Sequence, residues 1–296
     1  MKAQLDCIVC VLRQALRASR KVTEDEEIQE KILRRAMREL LEIDWRNTPF
    51  YMSYRVHRIV SEITGVNDPY KIIKKQSNDY VLRLYPKLKE FINASRDPLE
   101  TAVKLAIAGN VIDFASVEKP EIENTIKRIL AGKLAINDYP YLKNKVPTAR
   151  RLLFFADNAG EIVFDKLLLE TMIKMRSKPF ERITFVVKEE PIINDATVED
   201  AIYIRINSLP NISLKTISYR GRNLEEDNPD LEKWFLTHDL IISKGQSNYE
   251  NFDRYENIFF ILLVKCPVVA RDLKVNIGDT VIKYNRPRSP FTRFIR

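Results

Sequence analysis

The sequence predicts an α/β protein, with a Rossmann-like three-layer α/β/α domain on a largely parallel sheet and a helical domain in front of it. Three observations predict this. Leu152 to Ala156 are five consecutive apolar residues ending abruptly in Asp157-Asn158, as a strand buried on both faces does. From residue 151 onward such runs alternate with segments of helical periodicity, the pattern of a parallel sheet covered on both sides. Before residue 145 the apolar spacing is helical almost throughout. The pattern changes around Asn137-Asp138-Tyr139-Pro140, and Pro147 precedes the first strand. This places a helical domain at 1–145 and the α/β/α domain, which carries the candidate site, at 146–296.

Leu5, Ile8, Val9, Leu12, Ala15 and Leu16 make an apolar stripe at helical spacing. Thr23 followed by Glu26 has the form of a capping box for a second helix running to Leu41. Segments at 50–63, 69–93 and 97–108 repeat the pattern. Asp97-Pro98-Leu99-Glu100 is a helix start, with Asp as N-cap, Pro at the first helical position and Glu three on. Gly109 is expected to stop that helix, leaving Asn110 and Asp113 beyond its end. After the first strand, Ile162, Phe164, Leu167, Leu168 and Met172 predict a helix. A second strand at 183–188 leads through Asn194-Asp195 to a helix carrying Val198, Ala201 and Ile202 and extending toward Ile206. Strands follow at 212–217, 239–244 and 258–264. The fourth opens into Gly245-Gln246-Ser247-Asn248-Tyr249-Glu250, and the fifth ends in Lys265-Cys266-Pro267.

Composition narrows the function classes. The chain has 296 residues, 45% hydrophobic and 30% charged, as a soluble globular protein does. No apolar run approaches the roughly 20 residues needed to span a bilayer. Asp6 interrupts the N-terminal apolar residues where a signal peptide would continue, and three cysteines argue against a disulfide framework, so a reducing cytoplasm is expected. With only His57 and His238, a histidine-rich metal site is excluded. The net charge of +8 favours anionic partners without naming one. The stretch 283–296 carries Lys283, Arg286, Arg288, Arg293 and Arg296 and no acid; isolated basic residues of this kind read as a solvated tail, which disfavours nucleic acid.

The chemistry rests on coincidence of place. Ligands of open α/β sheets bind beyond the carboxyl ends of the strands. Four predicted strands end there in polar groups: Asp157-Asn158, Asn194-Asp195, Lys244-Gly245 with Asn248, and Lys265. Two carboxylates and an amide oxygen suit a hard divalent cation, and the helix N-terminus after Gly160 favours an anion. The lysines would neutralise phosphate charge, and Gly245 would let backbone N–H groups approach it. Each part also has a plainer reading. Asp157-Asn158 and Asn194-Asp195 suit helix caps, Lys244 and Lys265 suit the surface, Glu161 complements a helix dipole, and Asp165 suits an exposed helix face. The joint pattern favours a metal site.

These motifs carry a resemblance. Asp157-Asn158-Ala-Gly160-Glu161-Ile-Val-Phe-Asp165, Pro191-Ile-Ile-Asn194-Asp195-Ala-Thr and Ser243-Lys244-Gly245-Gln246-Ser-Asn248-Tyr-Glu250 are similar to the signatures of the damage-control phosphatase superfamily, first described as a domain of unknown function. Lys2-Ala-Gln-Leu-Asp6-Cys7-Ile-Val-Cys10 and Ala108-Gly109-Asn110-Val-Ile-Asp113 resemble its class I branch, of archaeal type, with an N-terminal Cys-x-x-Cys. The resemblance covers residues 2 to about 267. It implies a metal-dependent phosphatase with Mn²⁺ or Ni²⁺, or Co²⁺ or Mg²⁺, held by Asp157, Asn158 and Asp195. Beside these ligands, Asp157, Lys244 and Lys265 are read as catalytic, and Asn110, Asp113, Glu161, Gly245 and Asn248 as substrate-binding. Whether the nucleophile is metal-bound water or Asp157 stays open. Ser247 stands where related sequences often have a second glycine.

Cys7 and Cys10 lie one helical turn apart, so both thiols are expected to face the same way; with Cys266 they give at most three of the four ligands zinc needs. They are read as buried structural or weak metal-binding residues. A competing class is S-adenosylmethionine-dependent carboxyl methyl transfer, but Asp-Asn-Ala-Gly-Glu after the first strand is too acidic and too poor in glycine for such a cofactor. Neither a Gly-x-Gly-x-x-Gly nor a Walker loop is present. The expected function is hydrolysis of phosphomonoesters of small metabolites, such as sugar phosphates or nucleotides, including damaged ones.

Overall fold

The computed structural model describes residues 1–111, 119–221 and 224–287; Asp113 and the end of the basic tail lie outside them. Helices α1 (Leu5–Val22), α2 (Glu26–Glu42), α3 (Pro49–Thr64), α4 (Lys71–Ala94), α5 (Pro98–Val111) and α6 (Lys119–Ala131) come first. The short β1 (Ile136–Asn137) and α7 (Tyr139–Lys145) lead into the alternating part. It consists of β2 (Arg151–Phe155), α8 (Glu161–Lys174), β3 (Arg182–Lys188), α9 (Val198–Tyr203), β4 (Ile212–Ile217), α10 (Leu224–Asp227) and α11 (Leu231–Thr237). The chain continues through β5 (Leu240–Lys244), α12 (Gly245–Phe252), β6 (Ile258–Leu263), α13 (Pro267–Leu273) and β7 (Thr280–Asn285).

The strands form one sheet in the order β1-β7-β6-β5-β2-β3-β4. β2 pairs in parallel with β3 on one side and β5 on the other, and β3–β4 and β5–β6 are parallel too. Among the described strands only β7 against β6 is antiparallel. The chain leaves β2 toward β4 and later returns to the other side of β2, so the β2/β5 boundary is the switch point where such sheets open a crevice. Side chains alternate along each strand. Leu152 and Phe154 therefore join one core with Phe185, Ile242 and Phe259, while Leu153 and Phe155 join another with Val186, Ile241 and Phe260. The central strands β2, β3, β5 and β6 are buried on both faces because each face is covered.

Two features cross the expected boundary at 145/146. β1 precedes it yet pairs with β7, and Val81, Leu105 and Ala108 of α4 and α5 share the first core with Leu152 and Phe164. Helices α1–α3 have smaller clusters of their own, around Val11, Ala36 and Met52 and around Ala18, Ile32 and Ile59.

Three local expectations are corrected. The N-cap of α2 is Asp25, whose carboxylate accepts from Glu27 and Ile28 N–H; Thr23 accepts from Asp25 instead. Gly109 does not stop α5, which runs on to Val111. It sits where α5 crosses α8, and a Cβ there would lie 2.7 Å from Phe164 Cδ2 and 3.2 Å from Glu161 Cα. The glycine serves close helix approach, not termination. Lys283 belongs to β7 rather than to a tail, with its ammonium over the Tyr249 ring.

Candidate active site

The crevice is built by two turns laced together. After β2 the chain enters Asp157-Asn158-Ala159 and reaches Gly160, whose φ of +79° begins α8. After β3 it loops through Asn194-Asp195-Ala196 into α9. Ala159 N–H donates to Asn194 O at 2.9 Å and Ala196 N–H donates to Asp157 O at 2.8 Å, with Asn158 and Asp195 paired between them. Asp157 and Asn158 just beyond β2 and Asp195 in the loop after β3 thus lie side by side.

Asp157 is 4% exposed. Its Oδ2 accepts from the side-chain amides of Asn110 at 2.8 Å and Asn158 at 2.7 Å, and its Oδ1 accepts from Ser247 Oγ at 2.9 Å. Gly245 stands against it with φ +79°; a Cβ would lie 2.7 Å from Oδ1 and closer still to Oδ2 and Cγ. Burial raises the Asp157 pKa and the Glu161 charge adds to this, with Lys265 and Lys188 pulling the other way. Asp195 is buried too, and its Oδ2 has no hydrogen-bond partner. Burial pushes its pKa up to about 8, against the pull of Lys188 and with the push of Asp157.

Lys188, the last residue of β3, is the cation beside this pair, and sequence reasoning passed over it. The residue is 1% exposed, and its Nζ donates to Asn248 Oδ1 at 2.8 Å and to Tyr219 Oη at 3.3 Å and lies 4.0 Å from the unpartnered Asp195 Oδ2. The Phe50 and Tyr219 rings flank it at 4.7 Å each. Burial lowers its pKa, but Tyr219, Asp195 and Asp157 together outweigh burial and keep it charged. The signal that would have found it is the one used for Lys244, a lysine closing an apolar strand. Asn248 is fixed by donating to Ala156 O and Lys244 O.

Lys244 and Glu161 lie beneath the crevice, both at 0% exposure. Lys244 Nζ donates to Glu161 Oε1 at 2.6 Å, Asp165 Oδ1 at 2.8 Å and Ala106 O at 3.0 Å, which occupies all three of its N–H bonds. Glu161 Oε2 accepts from Asn110 at 2.6 Å and Asn158 at 3.1 Å. Asp165 is fully buried rather than on an exposed face, and burial pushes its pKa up to about 7 against the pull of Lys244. Asn110 lies in the last turn of α5, buried, with Oδ1 unpartnered. Lys265 is exposed at the rim; its N–H donates to Gln246 Oε1, and its charge bears on Asp157.

The cysteines are free thiols, Cys7 and Cys10 one turn apart on α1, with Cys7 buried and Cys10 exposed. Cys7 Sγ accepts from Gln4 N–H and Cys266 Sγ accepts from Val269 N–H, each at a helix start. Among the described residues no group of three His, Cys, Asp or Glu forms a metal cage. The acceptor set at the crevice is two carboxylates and an amide, all oxygen. It fits a hard divalent cation: one carboxylate oxygen is buried without a donor, and burial raises the pKa of both acids, so a positive charge there is favoured.

Fold and site together define a doubly wound α/β/α protein with an acid–amide–lysine crevice at its switch point, partly walled by N-terminal helices. The chain belongs to the damage-control phosphatase ARMT1-like domain family, whose model matches residues 3–281. It is 36% identical over 293 residues to an uncharacterised protein of Methanocaldococcus jannaschii, covering 95% of each. It is 35% identical to a damage-control phosphatase of Archaeoglobus fulgidus, over 96% of this chain and 99% of that one. The crystal structure of a DUF89 family protein from Pyrococcus horikoshii superposes with a TM-score of 0.85 at 32% identity, over 97% of this chain and 100% of that one.

Proposed function

We propose that the protein is a metal-dependent phosphatase that hydrolyses phosphomonoesters of small metabolites, with Asp157, Asn158 and Asp195 holding Mn²⁺ or Ni²⁺, or Co²⁺ or Mg²⁺. One observation carries this reading: an unpartnered buried carboxylate oxygen of Asp195 and the Asp157 carboxylate share one crevice with the charged Lys188. Relatives named damage-control phosphatases support the reaction class.

A bound divalent ion supplies Lewis-acid polarisation of a phosphoryl oxygen and an acidified water. The chain's own groups do the rest. Asn110, Asn158 and Ser247 hold the Asp157 carboxylate in one orientation, and Asn158 Nδ2, turned toward Asp157 and Glu161, leaves Oδ1 for the cation. Lys188, steered by Asn248, offsets the charge of a phosphoryl group, and Lys265 adds a second cation at the rim. Lys244 acts from below, by neutralising Glu161 and Asp165. Gly245 keeps the space beside Asp157 open.

The test is a phosphate-release screen of metals against sugar phosphates, nucleotides and p-nitrophenyl phosphate, with a methyl-transfer assay in parallel. Asp157→Ala and Asp195→Ala are expected to lose at least about 10²–10³-fold in turnover while staying folded. Activity that is indifferent to metal, or a fully active Asp157→Ala, would refute the ligand assignment.

A further inference from the structure

A buried polar chain outside the crevice ties its two turns to the N-terminal helices. Lys74 and Asn78 lie one helical turn apart on α4, 3% and 1% exposed. Lys74 Nζ pairs with Asp68 at 2.8 Å and with Asp200 Oδ2 at 2.9 Å. Asp200, in the first turn of α9, also accepts from Thr197 N–H at 3.0 Å and Thr197 Oγ1 at 2.9 Å, two residues beyond Asp195. Its Oδ1 accepts from Asn78 Nδ2 at 3.1 Å, and Asn78 Oδ1 accepts from Gly160 N–H at 2.6 Å, two residues beyond Asn158.

Gly160 N–H is one of the donors a helix start leaves without an intrahelical partner, and no side chain of its own segment caps α8. Asn78 supplies that cap from another helix. Its amide is used at both ends, donor to Asp200 and acceptor from Gly160, so neither turn can shift without breaking a buried hydrogen bond. Lys74 holds Asp200 in place, because an unpaired carboxylate there would draw in water or move.

We propose that Asn78, braced by the Lys74–Asp200 pair, is a positioning residue that sets the spacing between Asp157-Asn158 and Asp195; this rests on reading those three as the cation ligands. The groups touch no substrate. Residues that orient metal ligands through hydrogen bonds change affinity by about 10–100-fold when removed.

The experiment is calorimetric titration of Mn²⁺ into the full chain, parent and variants. Asn78→Ala is expected to weaken Mn²⁺ binding by about 10–100-fold, with kcat falling and KM for p-nitrophenyl phosphate near the parent value. Asn78→Asp keeps an acceptor for Gly160 but sets a negative charge against Asp200, so an intermediate loss is expected; if Asn78→Ala does not fold, this variant carries the test. Val81→Ala, a packing change in the same helix, is expected to lower Tm without moving Mn²⁺ affinity. A folded Asn78 variant that binds Mn²⁺ as the parent does overturns the positioning role alone. A parent that binds neither Mn²⁺ nor Ni²⁺, Co²⁺ or Mg²⁺ in the same titration overturns the metal reading, and the role of Asn78 with it.

Discussion

Replacing Gly245 by Ala probes the crevice with one carbon atom. The residue has φ +79°, a region that costs an L-residue roughly 1–2 kcal/mol. The added Cβ would overlap the Asp157 carboxylate, lying 2.7 Å from Oδ1 and nearer to Oδ2 and Cγ. No flexible side-chain end is available to yield, because Asp157 is held by Asn110, Asn158 and Ser247. Either the carboxylate or the β5–α12 turn must move by about 1 Å, an overpacking cost of roughly 1–3 kcal/mol. Together the two costs, about 2–5 kcal/mol, predict a fall in Tm of roughly 3–8 °C for a chain of this size. Displacement of a reacting group by about 1 Å predicts a loss of about 10²-fold in kcat. Metal-dependent phosphate release and a thermal melt read the two effects separately. Gly65→Ala is the control: φ is +72° and nothing lies within 4 Å, so it should lose stability alone. A Gly245→Ala protein with parental turnover would show that the Asp157 carboxylate has room the structure denies it, and would refute the crevice geometry.

Lys244→Met should remove the partner of two fully buried carboxylates and cost about 3–5 kcal/mol in urea unfolding; intact stability with lost turnover would instead place Lys244 on the phosphate. Mn²⁺ at 100 times its dissociation constant should stabilise the parent by about 2.7 kcal/mol and leave Asp195→Ala unmoved, as read by melting with and without a chelator. Buried His57 in α3 has its pKa lowered to about 4 by burial, against an ordinary 6.5. The unfolded chain therefore takes up the proton first as pH falls. The stability His57 contributes is fully present above pH 6.5 and is lost toward pH 4, by roughly 3 kcal/mol. Urea unfolding of His57→Leu should show a shallower loss over that window than the parent, and equal slopes would contradict the assignment.

The fold was legible where burial on two faces leaves an unbroken apolar run. β2, β3, β5 and β6 all do this, and even β4, at the sheet edge, keeps enough β-branched residues to show. β1 and β7 were missed for opposite reasons. β1 has two residues, and β7 mixes buried Val281 and Ile282 with lysine, tyrosine and asparagine that read as polar tail. Gly109 was misread because a glycine near a helix end suits both a stop and a close crossing. Only the position of Phe164 on α8, far along the chain, decides between them.

The site divides along the same line. Asp157, Asn158 and Asp195 meet because β2 and β3 are parallel neighbours and the turn after β2 is laced to the loop after β3. The lysines could not be ranked that way, because strand ends fix where a backbone stops and not what surrounds an ammonium. Lys188 and Lys244 each close a buried strand, and both are nearly inaccessible. What separates them is the helix packed against each. α8 offers Lys244 two carboxylates one turn apart, Glu161 and Asp165, which satisfy it from below. Lys188 meets the rings of Phe50 and Tyr219, the Tyr219 hydroxyl and a single amide oxygen, and its nearest carboxylate is 4.0 Å away on Asp195. A cation with aromatic walls and an unspent carboxylate beside it is the one still able to answer to a phosphate. Lys188→Met should therefore cost turnover where Lys244→Met costs stability, and a phosphate-release assay on both folded variants that ranked them in the reverse order would overturn the distinction.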